Sequence, residues 1–318
     1  MKILITGGAG FIASHLADSL LEDGFTVFGL DNYNDYYDPS LKAKRVEYFG
    51  HEVHEVDLKD FDALDEAFQW IRPDIVIHLA ARAGVRDSFG KEAIYHNENI
   101  LGTQNLIEVC KMYGVYKVIY ASTSSVYGGT PLPTTGWTEN DVTGHQLNAY
   151  AYTKYTNECQ FKISGLNNVG LRFFTVYGPW GRPDMALFQF TDAIVRGEPI
   201  EAFNYGDMKR DFTYVEDVVQ GIEIISKNMT KRDTYCLGYG KQVDLMDFIR
   251  HIEINVGKEA EKIMAPRHPA DALETWSDTT KLQALGYNPS TPISEGVKRF
   301  VEWYKNYYVH NNEIRKAS

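Results

Sequence analysis

Residues 2–13 read KILITGGAGFIA, and the order of residue types in this stretch decides the fold. Lys2–Thr6 is a short apolar run of the kind that forms a buried strand. Gly7, Gly10 and Ala13 follow at the spacing G-x-x-G-x-x-A, and the segment 10–24 then carries Phe11, Leu16, Leu20 and Leu21 at helical spacing. A glycine loop between a strand and a helix has a specific use. The glycines permit a tight turn and a close backbone approach to a pyrophosphate. The helix N-terminus supplies free N–H donors and the positive end of its dipole. Ala13 permits close helix–strand packing almost as well as glycine. A merely structural turn is the alternative, and the strand and helix on either side favour a dinucleotide site.

Working outward, FTVFGLD (25–31), DIVIHLA (74–80), KVIYAS (117–122) and VGLRFF (169–174) are further apolar runs, separated by helix-like segments. This alternation implies βαβ units and a parallel sheet covered on both faces. The expected class is α/β: a Rossmann-type doubly wound parallel sheet with a smaller, mixed C-terminal substrate domain. Past residue 175 the pattern loosens into loops rich in Gly and Pro, YGPWGRPDM (177–185) and NYGDMKRD (204–211). Helices are expected near 184–196, 214–227, 244–256 and 292–309. The expected dinucleotide domain spans 1–175 and is rejoined by about 211–238; 176–210 and 239–318 form the substrate side.

Composition narrows the function. A formal net charge of -11 argues against nucleic acid and anionic membrane as partners. Cys110, Cys159 and Cys236 are far apart and lack C-x-x-C spacing, so neither a disulfide framework nor a metal site is expected. The N-terminus reads as strand and turn rather than signal peptide, and no apolar run reaches the ~18 residues of a membrane span. A cytoplasmic, reducing compartment is the expectation.

Asp31 ends the second apolar strand. A carboxylate there accepts hydrogen bonds from an adenosine ribose and repels a 2′-phosphate, which favours NAD over NADP; a cap or turn role is the alternative. Asn32 is its natural neighbour. Asp57, after the third strand, is a candidate adenine contact or a turn residue.

The stretch NAYAYTKY (148–155) holds three tyrosines and a lysine. If 148–166 is a helix, Tyr150 and Lys154 share a face, whereas Tyr152 and Tyr155 do not share it with the cation. An ammonium beside a phenol favours phenolate and lowers its pKa from about 10. ASTSSVYGG (121–129) places Ser122–Ser125 at the end of a parallel strand, where such sheets bind ligands; an ordinary Ser/Thr turn is the alternative.

Together, TGGAGFIA, HLAARAGVR, STSSVYG and YAYTK resemble the extended short-chain dehydrogenase/reductase superfamily. DNYNDYYDPSLKAKR, LRFFTVYGPWGRPDMALF, YGDMKRDFTYVEDVVQGI and EGVKRFVEWY are similar to the UDP-glucuronate 4-epimerases among its NAD-dependent nucleotide-sugar epimerases. The resemblance covers nearly the whole chain. It implies Tyr150 as base, Lys154 as its partner and a ribose ligand, and Thr123 as helper hydroxyl. It implies a cofactor set of Gly7, Gly10, Phe11, Ile12, Asp31, Asn32, Asp57, Leu58, Leu79, Ala80, Ala81, Asn99 and Lys154 for NAD. It implies Ser124, Ser125 and Thr175 at the sugar carboxylate, Arg86, Arg182 and Arg210 at the pyrophosphate and nearby ribose, and Asp271 at the uridine ribose. Each arginine has an alternative as a surface ion-pair member.

The resemblance further implies oxidation at C4, a turn of the 4-keto sugar, and hydride return to its other face. A 4-keto uronate is a β-keto acid, so its carboxylate must be held away from the geometry of decarboxylation. Decarboxylases and 4,6-dehydratases of the superfamily look as though they carry Glu, or Asp-Glu, just before VYG; here the pair is Ser124-Ser125. The alternatives are a 4-epimerase of UDP-glucose or a UDP-N-acetylhexosamine, a UDP-glucuronate decarboxylase, and a non-catalytic NAD(H)-binding sensor. Tyr152, Arg82, Asp87 and the connector 128–148 depart from the family pattern and bear on sugar preference. The resemblance implies a homodimer built through helices 89–112 and 148–166; internal packing of their apolar positions is the alternative.

Overall fold

The computed structural model describes residues 1–309. The first half runs β1 (Lys2–Thr6), α1 (Phe11–Glu22), β2 (Thr26–Asp31), α2 (Pro39–Phe49), β3 (Glu52–Glu55), α3 (Phe61–Ile71) and β4 (Ile75–His78). Then come α4 (Glu92–Tyr95), a π-helical turn (His96–Leu101), α5 (Gly102–Met112), β5 (Lys117–Thr123), α6 (Ala149–Ile163) and β6 (Asn167–Phe173). The second half runs β7 (Thr175–Tyr177), α7 (Ala186–Arg196), β8 (Ile200–Phe203), β9 (Lys209–Tyr214), α8 (Val215–Asn228) and β10 (Asp233–Leu237). It ends with β11 (Gln242–Asp244), α9 (Leu245–Val256), β12 (Lys262–Ala265), α10 (Thr280–Gln283) and α11 (Ile293–Trp303). Residues 310–318, part of the expected 239–318 span, lie outside the described residues.

The large sheet has seven strands in the order β10-β6-β5-β4-β1-β2-β3, and every pairing is parallel. The order reverses between β1 and β4, which opens a crevice at the carboxyl ends of the strands. β1 shows why both faces must be covered. Ile3 and Ile5 face one core with Leu16 and Leu20 of α1 and Val218 and Ile222 of α8. Leu4 faces the other with Leu64 and Phe68 of α3, Leu106 of α5 and Phe161 of α6. The smaller part is mixed: β11-β9-β7 joins antiparallel and parallel pairs, and β12-β8 is a parallel ribbon. Phe212, Phe248 and Phe300 tie its strands to α9 and α11.

The expected helices beyond residue 175 form within a few residues of their expected bounds. The expected helix 89–112 also forms, as one helical run from Glu92 to Met112, and it passes through the π-helical turn His96–Leu101. There, side chains of α6 take carbonyls of the wide turn: Asn157 donates to Asn99 O (2.9 Å) and Gln160 to Ile100 O (3.1 Å). The wide turn is built by contacts from a distant helix, which local spacing does not encode. No helix among the described residues is long and apolar enough to cross a membrane.

Candidate active site

A cavity of about 1110 Å³ lies over the carboxyl ends of the large sheet, between it and the smaller part. Its walls carry Gly7, Gly10, Phe11, Ile12, Asp31, Asn32, Asp57, Leu58, Leu79, Ala80 and Ala81 on the cofactor side. Thr123, Ser124, Ser125, Tyr150, Lys154, Thr175, Arg82, Arg86, Arg182, Arg210 and Asp271 complete them. Of the expected residues, Asn99 is the one not on the wall. It is buried behind it, donating to Arg82 O (3.0 Å) and the Thr153 hydroxyl (2.9 Å).

The glycine loop fits a dinucleotide. Gly7 has φ +71°, and a Cβ there would lie 2.8 Å from Ala80 N. A Cβ on Gly10 would lie 2.8 Å from the Gly7 carbonyl, which already accepts the Gly10 N–H at 2.8 Å. No side chain caps the start of α1, so its first N–H groups remain for an anion. Asp31 is fixed at the end of β2 by the N–H groups of Ala9 (3.2 Å) and Tyr33 (2.9 Å). The Lys42 ammonium from α2 pairs with it at 3.0 Å. Lys42 thus offsets part of the charge expected to repel a 2′-phosphate. Asn32 donates to Asp57 (3.3 Å), which also accepts the Lys59 N–H (2.9 Å), so Asp57 serves its turn as well as the wall.

Lys42 was not anticipated, because its partner is eleven residues away across a loop. Arg45 was missed for the same reason. Its buried guanidinium donates to the carbonyls of Trp180 (2.7 and 3.0 Å) and Ala9 (3.4 Å) and to the Tyr37 hydroxyl (2.7 Å). It thereby joins the glycine loop to the loop that carries Arg182.

The expected proton-transfer residues Tyr150, Lys154 and Thr123 sit on α6 and β5. Asn148 caps α6 by accepting the Ala151 N–H at 2.8 Å, a bond worth about 1 kcal/mol. The cap sets Tyr150 in the first turn and Lys154 one turn later on the same side. The electrostatics differ from the sequence expectation. Burial raises the Tyr150 phenol above its ordinary pKa, and the Arg182 charge and the Thr123 hydroxyl lower it. Lys154 is itself almost wholly buried, and burial pulls its ammonium down to about 8, against an opposing pull from Glu158. Glu158 is already taken by Arg172 (2.9 Å) and the Ser122 hydroxyl (2.6 Å). Behind it, His78 is held between the hydroxyls of Thr6 (2.7 Å) and Thr103 (3.0 Å), and burial lowers its pKa to about 3, so it stays neutral.

On the substrate side the arginines are engaged differently from one another. Arg86 makes a two-pronged pair with Asp271 (2.6 and 3.3 Å) and stacks 3.9 Å over the Phe203 ring. Arg182 pairs with Asp184 (2.5 and 2.9 Å). Arg210 donates to the carbonyls of Lys209, Ala272 and Leu273 at 2.7–2.9 Å, and burial lowers its pKa to about 10. Ser125 donates its N–H to the Thr123 hydroxyl (3.2 Å), which folds the hydroxyl run into a tight cradle beside Tyr150.

Two departures fall away from the cavity. Tyr152 is 47 % exposed, with its ring against His96 (5.5 Å), on the outer side of α6. It is not a wall beside the base, because residues two apart on a helix diverge by about 160°. The connector 128–148 packs instead on 275–278: the Trp137 N–H donates to Trp276 O (2.8 Å) and Trp137 O accepts the Asp278 N–H (2.9 Å).

A Rossmann-type sheet with a dinucleotide loop, and a tyrosine and lysine one helical turn apart, define a class of NAD-dependent enzymes that move a hydride at a carbinol carbon. Comparison with known proteins agrees with this class. Residues 3–238 match the NAD dependent epimerase/dehydratase family. The chain is 42% identical to Protein CapI of Staphylococcus aureus, over 97% of this chain and 99% of that protein. It superposes on UDP-glucuronic acid 4-epimerase from Bacillus cereus, solved with UDP-glucuronic acid and NAD, with a TM-score of 0.89, 33% identity, and coverage of 96% of this chain and 99% of that one. UDP-glucose 4-epimerase of Thermus thermophilus, solved with NAD, superposes with a TM-score of 0.88, 29% identity, and coverage of 96% and 100%. The chain belongs to the NAD-dependent epimerase/dehydratase family, with NAD as its cofactor.

Proposed function

We propose that the protein is a UDP-sugar 4-epimerase that interconverts UDP-glucuronate and UDP-galacturonate. The observation that carries the choice of sugar is the hydroxyl cradle, Ser124, Ser125 and Thr175, on the wall that also holds Tyr150. Three hydroxyls can hold a carboxylate by hydrogen bonds without adding negative charge. A glutamate there would repel it or act as an acid at the neighbouring carbons.

We assign residues 1–175 and about 211–238 to the NAD side, and 176–210 and 239–309 to the nucleotide-sugar side. NAD held by the Gly7–Gly10 loop and Asp31 would supply the acceptor and donor of the hydride exchanged at the sugar C4. Tyr150, as phenolate, takes the 4-hydroxyl proton and gives it back; Thr123 orients that hydroxyl. Lys154 holds a ribose through its ammonium, on the cavity wall. While the carboxylate is held in the hydroxyl cradle it is kept out of the geometry of decarboxylation, so the 4-keto sugar keeps its C6. Arg86, Arg210 and Asp271 hold the UDP moiety, with Arg182 between it and the sugar.

The test is incubation of purified protein with UDP-glucuronate and NMR of the products. UDP-galacturonate is expected. A pentose product would make the protein a decarboxylase, and turnover of UDP-glucose or a UDP-N-acetylhexosamine alone would make it an epimerase of neutral sugars.

The reading extends to a cytoplasmic homodimer. Cys110, Cys159 and Cys236 are all free thiols, in keeping with a reducing compartment. Ile94, Leu101 and Met112 on one helical run and Tyr152 and Ile163 on α6 are exposed, at 42, 45, 61, 47 and 84 %. A second copy burying these two helices would cover them. Tyr152→Phe is expected to hold turnover within about twofold, since the ring is remote from the base. Tyr152→Asp is expected to shift sedimentation towards monomer, by placing a charge in an apolar interface.

A further inference from the structure

Arg82 is set into the cavity wall with its guanidinium largely unpaired. Its backbone is fixed by Asn99, which accepts the Arg82 N–H (2.8 Å) and donates to its carbonyl (3.0 Å). The same Asn99 amide donates to Thr153, next to Lys154. The guanidinium lies over the rings of Tyr36 (5.0 Å) and Tyr95 (5.8 Å), and Tyr95 meets the Tyr150 ring edge-on at 6.4 Å. Arg82 is therefore held a short way from the catalytic phenol.

Its polar partners are few. The nearest carboxylate is Asp87 at 3.6 Å, too long for a hydrogen bond. Asp87 is occupied by Lys91 and the Tyr95 hydroxyl (3.1 Å). The Arg82 Nε is buried and has no hydrogen-bond partner among the described residues. Arg182 is the contrast. It lies over the same Tyr36 ring at 5.8 Å, but both prongs of its fork are taken by Asp184. Tyr36, whose hydroxyl donates to Asp184 (3.0 Å), is a shared platform for one saturated guanidinium and one open one. Buried donors are normally satisfied, and an open guanidinium fork fits a ligand with paired anionic oxygens.

The uronate reaction, on whose proposal this inference rests, needs such a partner twice. The 4-keto ring must present opposite faces to one hydride carrier, so it turns about its C1–C4 axis. That turn carries the C6 carboxylate from one side of the axis to the other. A single cradle cannot hold it in both orientations. Along the carboxyl edge of the sheet, Thr175 follows β6, Ser124 and Ser125 follow β5, and Arg82 follows β4, on the side towards the glycine loop.

We propose that Arg82 is a specificity-determining residue that takes the sugar carboxylate in one orientation of the ring, while Ser124, Ser125 and Thr175 take it in the other. A neutral UDP-sugar offers it no such group.

The test uses NAD-loaded protein carrying Tyr150→Phe, so that bound sugars stay as added. Calorimetry gives Kd for UDP-glucuronate, UDP-galacturonate and UDP-glucose, with and without Arg82→Gln. One uronate is expected to weaken by about tenfold, the loss of one charge-assisted pair, with the other uronate and UDP-glucose unchanged. Equal weakening of both uronates, or of neither, overturns the proposal. Weakening of UDP-glucose or of NAD places the guanidinium on a pyrophosphate and overturns it too. Arg82→Lys keeps the charge and stem, and is expected to lose about threefold for the same uronate; it decides the matter if the glutamine variant does not fold. Failure of the enzyme with Arg82 and Tyr150 intact to convert uronates is a separate result, read by NMR, and falls on the function rather than on Arg82.

Discussion

Tyr150→Phe is expected to lower the rate of epimerisation by about 10³-fold or more while leaving NAD and UDP-sugar binding nearly intact. The substitution removes one oxygen from a residue whose ring remains packed against Tyr95 at 6.4 Å. Proton transfer from the 4-hydroxyl then has no acceptor at that place. Stopped turnover with the cofactor retained is the signature, measured by product NMR and by release of NAD on denaturation. Full activity in the variant would refute the base assignment and leave Thr123 as the remaining candidate on β5. The raised phenol sharpens the point. In the protein alone, burial outweighs the lowering effects of Arg182 and Thr123. A phenolate at Tyr150 would thus form against the protein's own bias, and bound NAD⁺ would contribute positive charge in the same cavity.

Lys154→Met is expected to abolish turnover and yet raise the stability of the protein without ligand. Burial lowers the Lys154 pKa to about 8, below its ordinary value of 10.5. At pH 7 the lysine is protonated in both folded and unfolded states, so the cost of burying its charge is fully present. Above about 8 the folded protein sheds the proton first, and the cost fades as the pH rises towards the unfolded value. Methionine fills similar space without the charge. A gain of roughly 1–3 kcal/mol at pH 7 is expected, read as a melting temperature higher by a few degrees, with the gain shrinking above pH 8. Loss of NAD affinity would accompany it if the ammonium holds the ribose as proposed. A less stable variant would show that the lysine stem or an unseen partner holds α6 in place.

The pairing of Tyr150 with Lys154 is legible because a helix repeats itself: four residues make about one turn, and both residues lie on one element. The roles within the pair are not. Spacing suggests that Lys154 tunes the phenol, and the fold adds a second cation, Arg182 from a loop 32 residues on, whose charge also lowers it. The Asp31–Lys42 and Arg86–Asp271 pairs are hidden for the same reason, since each joins residues on different elements. The cation expected at the pyrophosphate and the acid expected at the uridine ribose stand as partners of each other. Tyr152 shows the opposite error. A bulky residue two positions from the base suggests an altered pocket, but α6 turns it outward onto His96.

The sheet, the glycine loop, the strand-end hydroxyls and the α6 face shared by Tyr150 and Lys154 are legible in the sequence alone. All of these follow from periodicity and turn chemistry within a few residues of one another. Only the tertiary structure decided which charges are paired, which are buried, and that Arg82 stands open beside Tyr36 while Arg182 is closed by Asp184. Those outcomes depend on distance and desolvation between elements far apart in the chain, and neither quantity is written in local sequence.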